Sequence, residues 1–252
     1  FEQELISVHG KPLEGQVALV TGAGRGIGRA CALALARDGA HVVAVARTSG
    51  DLASLAEEAQ GKIETWTEDV CTDAFIERVR ALDRLDILVN NAGTNKLQHV
   101  FDVDDATLDL LLGLNVRWAF KVAQAAAIVM ARGKCGGSIV NISSQMGHVG
   151  GPKRTVYAMT KHAIEGLTKA MAIELAEHRI RVNAVAPTIV LTSMTEPFFK
   201  DPAYGKAAEA MIPLRMIAQP EDVAAAVSYL ASPAARMVTG ISLKVDGGAT
   251  AH

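Results

Sequence analysis

Apolar and polar residues follow two periods in turn along this chain. Residues 16–21 (QVALVT) are a short apolar run that closes in glycine, the pattern of a buried strand. Residues 27–38 then carry apolar side chains at helical spacing with much alanine, until Gly39 stops them. The pairing recurs as a β-branched strand at 41–46 (HVVAVA), a polar helix at 51–60, a weaker strand at 63–67, a helix at 73–82 and a strand at 86–89 (DILV). One long helical stretch is predicted at 103–132, ended by the glycine-rich 133–137. A strand at 138–142, a helix at 155–177 and a strand at 180–185 follow. A last helix at 219–231 opens with Pro220 and the acidic pair Glu221-Asp222, and 241–245 is the final strand. The rhythm breaks at 192–213, where Pro197, Pro202, Gly205 and Pro213 predict a partly helical lid over the top of the sheet. Such alternation predicts an α/β architecture, a parallel sheet with helices on both faces. No linker or tandem repeat interrupts it, so 15–252 are read as one domain behind a short polar extension at 1–14.

Composition narrows the classes of function. Half of the 252 residues are hydrophobic and the net charge is −2, so a large core is available. Lysines and arginines are dispersed, which argues against a nucleic-acid partner. No apolar run approaches the roughly 20 residues that span a bilayer, and the N-terminus lacks an apolar signal core, so no membrane partner is expected. Cys31, Cys71 and Cys135 are odd in number and lack metal-ligand spacing; they fit reduced thiols in a cytoplasmic protein, with no metal.

Two stretches carry candidate chemistry. In 141–161 (NISSQMGHVGGPKRTVYAMTK), Tyr157 and Lys161 share one face of the predicted helix. An ammonium held beside a phenol favours the phenolate, and Ser144, upstream, supplies a hydroxyl to the same small site. That set can move a proton to or from an oxygen. Tyrosine and lysine at this spacing are also ordinary surface and packing residues, and the pattern alone leaves both readings open. The second stretch, 21–28 (TGAGRGIG), lies between the first strand and the first helix. Its glycines permit a tight turn and let backbone approach a pyrophosphate at the helix N-terminus. Its place at the start of a βαβ unit is the context that a nucleotide site requires.

The glycine spacing is GxxxGxG. Followed in order by Asn91-Ala92-Gly93, Asn115, Ser144 and Tyr157-x-x-x-Lys161, TGxxxGIG resembles the short-chain dehydrogenase/reductase family, over about residues 13–248. The resemblance implies a single-domain, Rossmann-like, doubly wound sheet and NAD(P)-dependent oxidoreduction at a CH–OH group. It implies that Tyr157 is the general acid/base, that Lys161 assists it and holds the nicotinamide ribose, and that Ser144 positions the carbonyl. Asn115 would hold a water that links Lys161 to solvent, and Asn91 would stabilise the central strand. Implied cofactor contacts are Gly22, Arg25, Gly26, Ile27, Gly28, Arg47, Thr48, Asp69, Val70, Asn91, Ala92, Gly93, Tyr157, Lys161, Pro187, Ile189 and Thr192. Asp69 and Val70 could equally be a helix cap and a core residue. At the end of the second strand, where an acid would favour the ribose of NAD(H), stand Ala46, Arg47 and Thr48. With Arg25 they make a site for a dianion without a nearby acid, so NADP(H) is preferred over NAD(H); the competing reading of Arg47 is a solvated loop arginine.

Ser143, His148 and His162 compete for attention. The family spacing to Tyr157 selects Ser144 and leaves Ser143 to packing or the turn; His162 points to another helix face. His148 is a candidate substrate contact rather than a catalyst. Pro187-Thr188 stands where the family usually has Pro-Gly, and threonine narrows the backbone there. Residues 187–194 (PTIVLTSM), the Val-Ala-Arg-Thr end of the second strand and Gln145 resemble the carbonyl and L-xylulose reductase branch, whereas 147–155 depart from it. The expected substrate is a small carbonyl, sugar or polyol, with Ser144, Gln145, His148, Met194 and Phe198 as candidate contacts. Lys153 and Arg154 leave open a 3-oxoacyl-thioester substrate. A nucleotide-binding regulator without turnover is the reading from another class, and the intact serine, tyrosine, lysine and asparagine set argues against it. The resemblance also implies a homotetramer. The small-residue face of 119–131 suits either an intersubunit contact or packing on the sheet.

Overall fold

The computed structural model describes residues 11–251. Its strands are β1 (Val17–Thr21), β2 (His41–Ala46), β3 (Ile63–Thr67), β4 (Ile87–Asn90), β5 (Gly137–Ile142), β6 (Ile180–Pro187) and β7 (Ser242–Val245). They form one parallel sheet in the order β3-β2-β1-β4-β5-β6-β7. The central strands are apolar runs because both faces are covered: β1, β2 and β4 bury nearly every side chain. The helices are α1 (Gly26–Arg37), α2 (Ser49–Glu58), α3 (Asp73–Arg80), α4 (Asp105–Leu112) and α5 (Ala119–Gly133). After them come α6 (Thr155–Glu174), α7 (Glu196–Phe199), α8 (Pro202–Ala210) and α9 (Pro220–Ala231). Residues of α1, α2 and α9 make one core with one face of the sheet, and α3, α5 and α6 make the other. The chain runs outward from β1 in one direction to β3, then returns to β4 and runs the other way. The crevice beyond the C-terminal ends of β1 and β4 is therefore the topological switch point.

Three expectations change, and one left open takes the second of its two readings. The stretch 103–132 is not one helix: Asp104 caps α4 by accepting from the Thr107 amide at 2.8 Å, and Gly113–Trp118 widens to a π-helix before α5. The small-residue face of α5 points inward, with Val122, Ala123, Ala126, Val129 and Met130 in the core, so it packs on the sheet. Small side chains let that helix lie close; its exposed apolar residues are Phe120 and Ile128. The helix predicted to reach residue 177 ends at Glu174, where a 3₁₀ turn and Arg179 at φ 58° redirect the chain into β6. Leu13, expected in the polar extension, is fully buried in the core, and its amide donates to the Asp38 carbonyl at 3.0 Å. The rest of that extension, 1–10, lies outside the described residues.

Within 192–213 the helices are α7 and α8, with Phe198 and Phe199 both against Tyr204. Among the described residues no helix is long and apolar enough to cross a membrane.

Candidate active site

The glycine loop is built around contacts that leave no room for side chains. Gly22 and Gly26 take φ of 66° and 56°, the left-handed region that glycine enters freely. A Cβ on Gly28 would run into the Gly22 carbonyl and come within 2.5 Å of Asn91 Nδ2. Asn91 closes the floor from β4: its Nδ2 donates to the carbonyls of Thr21 (2.9 Å) and Gly22 (3.2 Å). The amides of Asn91 and Ala92 both donate to Thr21 Oγ1 at 3.0 Å. These bonds staple β1 to β4 at the switch point. Asn91 thus serves the strand ends, as expected, and Gly93 sits beside Asn115.

The first turn of α1 has no capping side chain and no acid, so its amides near Gly26, Ile27 and Gly28 remain available to an anion. Thr192, after β6, touches Gly26, and a cavity of about 450 Å³ opens between these segments, with Arg25, Arg29, Ser193 and Glu196 among its lining. A cradle that a Cβ would fill, facing uncapped helix amides, fits the pyrophosphate of a dinucleotide.

At the far end of that cradle the structure corrects the charge argument. Arg25 and Arg47 are not without a nearby acid: Asp51, in the first turn of α2, pairs with Arg25 (Nε to Oδ2 3.5 Å). Its side chain also fills the space where Gly24 lacks a Cβ. Arg29 donates to the Asp51 carbonyl at 3.2 Å and pairs with Glu58 at 2.6 Å, tying α1 to α2. Arg47 and Thr48 are exposed after β2. Asp69 turns the chain after β3 by accepting from the Cys71 amide at 2.9 Å, while Thr72, not Asp69, caps α3, and Val70 is buried. Burial first, then the neighbouring Asp69 carboxylate, pushes the Cys71 thiol up to about 11, with Arg47 opposing. Burial alone pushes Cys31 up to about 12, so both are inert thiols at neutral pH.

The residues expected to carry the reaction lie on elements about the ends of β4 and β5. Ser144 follows β5 and is buried; its Oγ accepts from the Met146 amide at 3.1 Å, which leaves the hydroxyl proton free to donate. Tyr157 lies in the first turn of α6, partly buried. Lys161, one turn on, is only 7% exposed. Its ammonium donates to the Ile142 carbonyl at 2.8 Å and lies 5.6 Å from the centre of the Tyr157 ring. A buried ammonium needs such partners to stay charged. Asn115 sits within the π-helix, also buried, and both ends of its side-chain amide are hydrogen-bonded. Oδ1 accepts from the Thr94 amide (2.9 Å), and Nδ2 donates to the Thr94 carbonyl (2.8 Å) and to Thr160 Oγ1 (3.2 Å). Thr160 in turn donates to the Tyr157 carbonyl at 2.7 Å. Asn115 thus struts the loop after β4 against the helix that carries Tyr157 and Lys161.

The candidate substrate contacts divide. Gln145 has a buried Oε1 without a hydrogen-bond partner. Met194 and Phe198 are exposed within 192–213. His148 is turned to other partners, Ser242 Oγ at 3.0 Å and Glu165 Oε1 at 3.3 Å. His162 is exposed on a different face, beside the Ala158 carbonyl, and Ser143 packs against Gly147, as expected of both. Pro187 ends β6, Thr188 donates to the Val245 carbonyl at 3.2 Å, and Ile189 is partly buried beside them. Sequence reasoning missed Asp51, Thr160, Glu165 and Ser242. Of these Thr160 carried a signal, a polar residue within the Tyr157–Lys161 turn; the others become visible only when distant elements meet. Among the described residues no group of three His, Cys, Asp or Glu could hold a metal.

A family model described as enoyl-(acyl carrier protein) reductase matches residues 22–250. The chain is 43% identical to L-xylulose reductase of Mesocricetus auratus over 94% of its own length and 97% of the relative's. It is 38% identical to the 3-oxoacyl-[acyl-carrier-protein] reductase of Thermotoga maritima, covering 94% and 98%. A gluconate 5-dehydrogenase from Burkholderia cenocepacia, solved with NADP and tartrate, superposes with a TM-score of 0.89 at 32% identity, covering 96% and 98%. With the switch-point crevice, the glycine cradle and the Ser144, Tyr157 and Lys161 arrangement, these likenesses place the chain in the short-chain dehydrogenase/reductase family, oxidoreductases that act on CH–OH groups with NAD(P).

Proposed function

We propose that this enzyme is an NADP(H)-preferring reductase that interconverts a ketone and a secondary alcohol on a small, polyhydroxylated substrate. The observation that carries the reading is the buried Lys161 ammonium beside Tyr157, with Ser144 on the adjacent turn. Gly22, Gly26, Ile27 and Gly28 would hold the pyrophosphate; Arg25, Arg47 and Thr48 a 2′-phosphate; Asp69 and Val70 the adenine. Asn91, Ala92 and Gly93 would floor the ribose, and Pro187, Ile189 and Thr192 the nicotinamide end. Bound NADP(H) supplies or accepts the hydride.

In the reducing direction the Ser144 hydroxyl donates to the substrate carbonyl oxygen and fixes the carbon. As that oxygen gains charge, Tyr157 passes it the phenolic proton, and the Lys161 ammonium stabilises the phenolate left behind. In oxidation the same groups act in reverse. A proton path from Lys161 through Asn115 needs a bridging water, because the Asn115 amide is engaged by Thr94 and Thr160. The likeness to L-xylulose reductase supports a polyol or sugar, for which Gln145 would be a contact. Met194 and Phe198 would close over it as part of a lid at 192–213.

A second reading, 3-oxoacyl-thioester reduction, draws on the basic pair Lys153 and Arg154 ahead of Tyr157 and on the Thermotoga relative. Steady-state rates on ketoses, diketones, polyols and 3-oxoacyl thioesters, each with both cofactors, decide between them. NADPH-dependent reduction of a ketose or small diketone with the highest kcat/KM is expected. A thioester that outpaces every sugar overturns the substrate assignment, and inactivity across the set favours a regulator.

A further inference from the structure

Two acids among the described residues are buried outside the groups proposed for hydride and proton transfer, Asp246 and Glu165, and Glu165 is the one that lies on the helix of Tyr157 and Lys161. Glu165 lies on α6 one helical turn beyond Lys161, on the same face, and is 6% exposed. A carboxylate this deep is unfavourable unless it is paired. Its Oε1 accepts from Ser242 Oγ at 3.0 Å and stands 3.3 Å from His148 Nε2, and that nitrogen is 3.0 Å from Ser242 Oγ. The three residues come from α6, the start of β7 and the loop after Ser144.

We propose that Glu165 is a positioning residue, which fixes the turn carrying Ser144 and Gln145 through His148, Ser242 and the backbone at Gly147. The turn is a single 3₁₀ unit, Gln145–Gly147, and Ser144 closes it twice. The Gly147 amide donates to the Ser144 carbonyl at 2.8 Å, and the Met146 amide donates to Ser144 Oγ at 3.1 Å. Gly147 is pinched between two side chains. A Cβ there would come within 2.9 Å of Ser143 Oγ and 3.0 Å of Glu165 Cγ. The next residue, His148, bonds through its amide to the Gln145 carbonyl at 2.9 Å and through its ring to Ser242 Oγ, with Glu165 Oε1 3.3 Å from the same nitrogen. Behind the turn, the Ser143 amide is held on the Val185 carbonyl at 2.8 Å. The turn is therefore clamped by β6, α6 and β7, and Glu165 is the member that reaches both the glycine and the histidine. Ser144 contributes its carbonyl and its hydroxyl to the clamped unit, so the clamp sets where that hydroxyl points. An error of about 1 Å in such a group costs on the order of a hundredfold in rate.

The inference rests on the roles proposed for Ser144 and Tyr157, and Tyr157→Phe serves as its control. Glu165→Ala should lower kcat by about 10- to 100-fold while NADPH affinity, read by fluorescence titration, stays within about twofold. Glu165→Gln keeps an acceptor for Ser242 and should recover most of the rate. In a Ser144→Ala background the further loss from Glu165→Ala should vanish, because Glu165 acts through Ser144. An unchanged kcat in Glu165→Ala overturns the proposal. So does a fall in kcat that persists undiminished without the Ser144 hydroxyl, or one matched by loss of NADPH affinity. Should Glu165→Ala fail to fold, His148→Ala, at the partly exposed ring, is read by the same criteria. An active Tyr157→Phe would sink the catalytic reading itself; an inactive Tyr157→Phe beside an unaltered Glu165→Ala sinks the positioning role alone.

Discussion

Tyr157 and Asp51 are the single side chains on which the proposed chemistry and cofactor preference turn. If the Tyr157 phenol is the proton donor, Tyr157→Phe removes the transferable proton and leaves the ring in place. General acid catalysis is worth about 10²- to 10⁴-fold, so kcat should fall by that order while NADPH titration is unchanged; substantial remaining turnover would reassign the acid. Asp51 is the acid that a reading of the second strand's end overlooks, because it belongs to the following helix. It occupies Arg25, 69% exposed, which a 2′-phosphate would need to engage. Asp51→Asn should free that guanidinium and remove a repulsion. An exposed pair is worth at most about 1 kcal/mol, so NADPH binding should tighten by up to about fivefold. NADH binding should hold steady, and the gain should shrink with added salt. Weaker NADPH binding would mean instead that Asp51 chiefly supports the glycine loop.

At the scale of elements, the sequence carried most of the strands and helices and little of how they meet. β2 lies at its expected bounds because an apolar run between glycine and a polar turn leaves few registers open. Tyr157 and Lys161 were legible together because they sit on one helix. The π-helix at Gly113–Trp118 was not, since its widening depends on Asn115 reaching Thr94 and Thr160 on other elements. His148 was open for the same reason: its partners lie far along the chain. β7 shows what such long-range contacts build. Its first residue holds His148, and the glycines after it pack against Ile212 and Pro213 at the end of 192–213, so the turn after Ser144 and that segment are both moored on one edge strand. Asp246 anchors that mooring. Burial works to raise its pKa, but the Thr250 hydroxyl and the amides of Gly248 and Thr250 prevail, aided by Lys244, and hold the carboxyl below the usual aspartate range. A group lowered in the folded state contributes stability that is present above its unfolded value, about 3.9. That contribution is lost as pH falls through the lower folded value. Asp246→Asn should therefore unfold more easily than the parent at neutral pH, with the difference closing at the acid end of that window. A gap that does not depend on pH would show the effect to be steric.

The whole molecule leaves an unresolved surface on the α3, α5 and α6 side of the sheet. Once the alanine face of α5 is spent on the core, the apolar residues still exposed there are on its outer row, Phe120 and Ile128, with Met159 and Ile173 on α6 and Leu110 on α4. Phe120 and Ile128 are two i+4 steps apart, so they present one stripe. Large apolar side chains left in water on one helix layer are candidates for an interaction site. A homotetramer, expected from the family resemblance, would cover it with helices of other copies and so account for side chains that the single chain leaves in water. Light scattering on eluting protein should give four chains. Ile128→Glu should shift the species to dimer or monomer while NADPH titration changes little, because the glycine loop opens α1 on the other face of the sheet. A monomeric parent, or a tetramer indifferent to charge at both Phe120 and Ile128, would move the contact elsewhere. The α9 and β7 region, with Tyr229, Met237 and Ile241 exposed, is the next apolar surface to carry it.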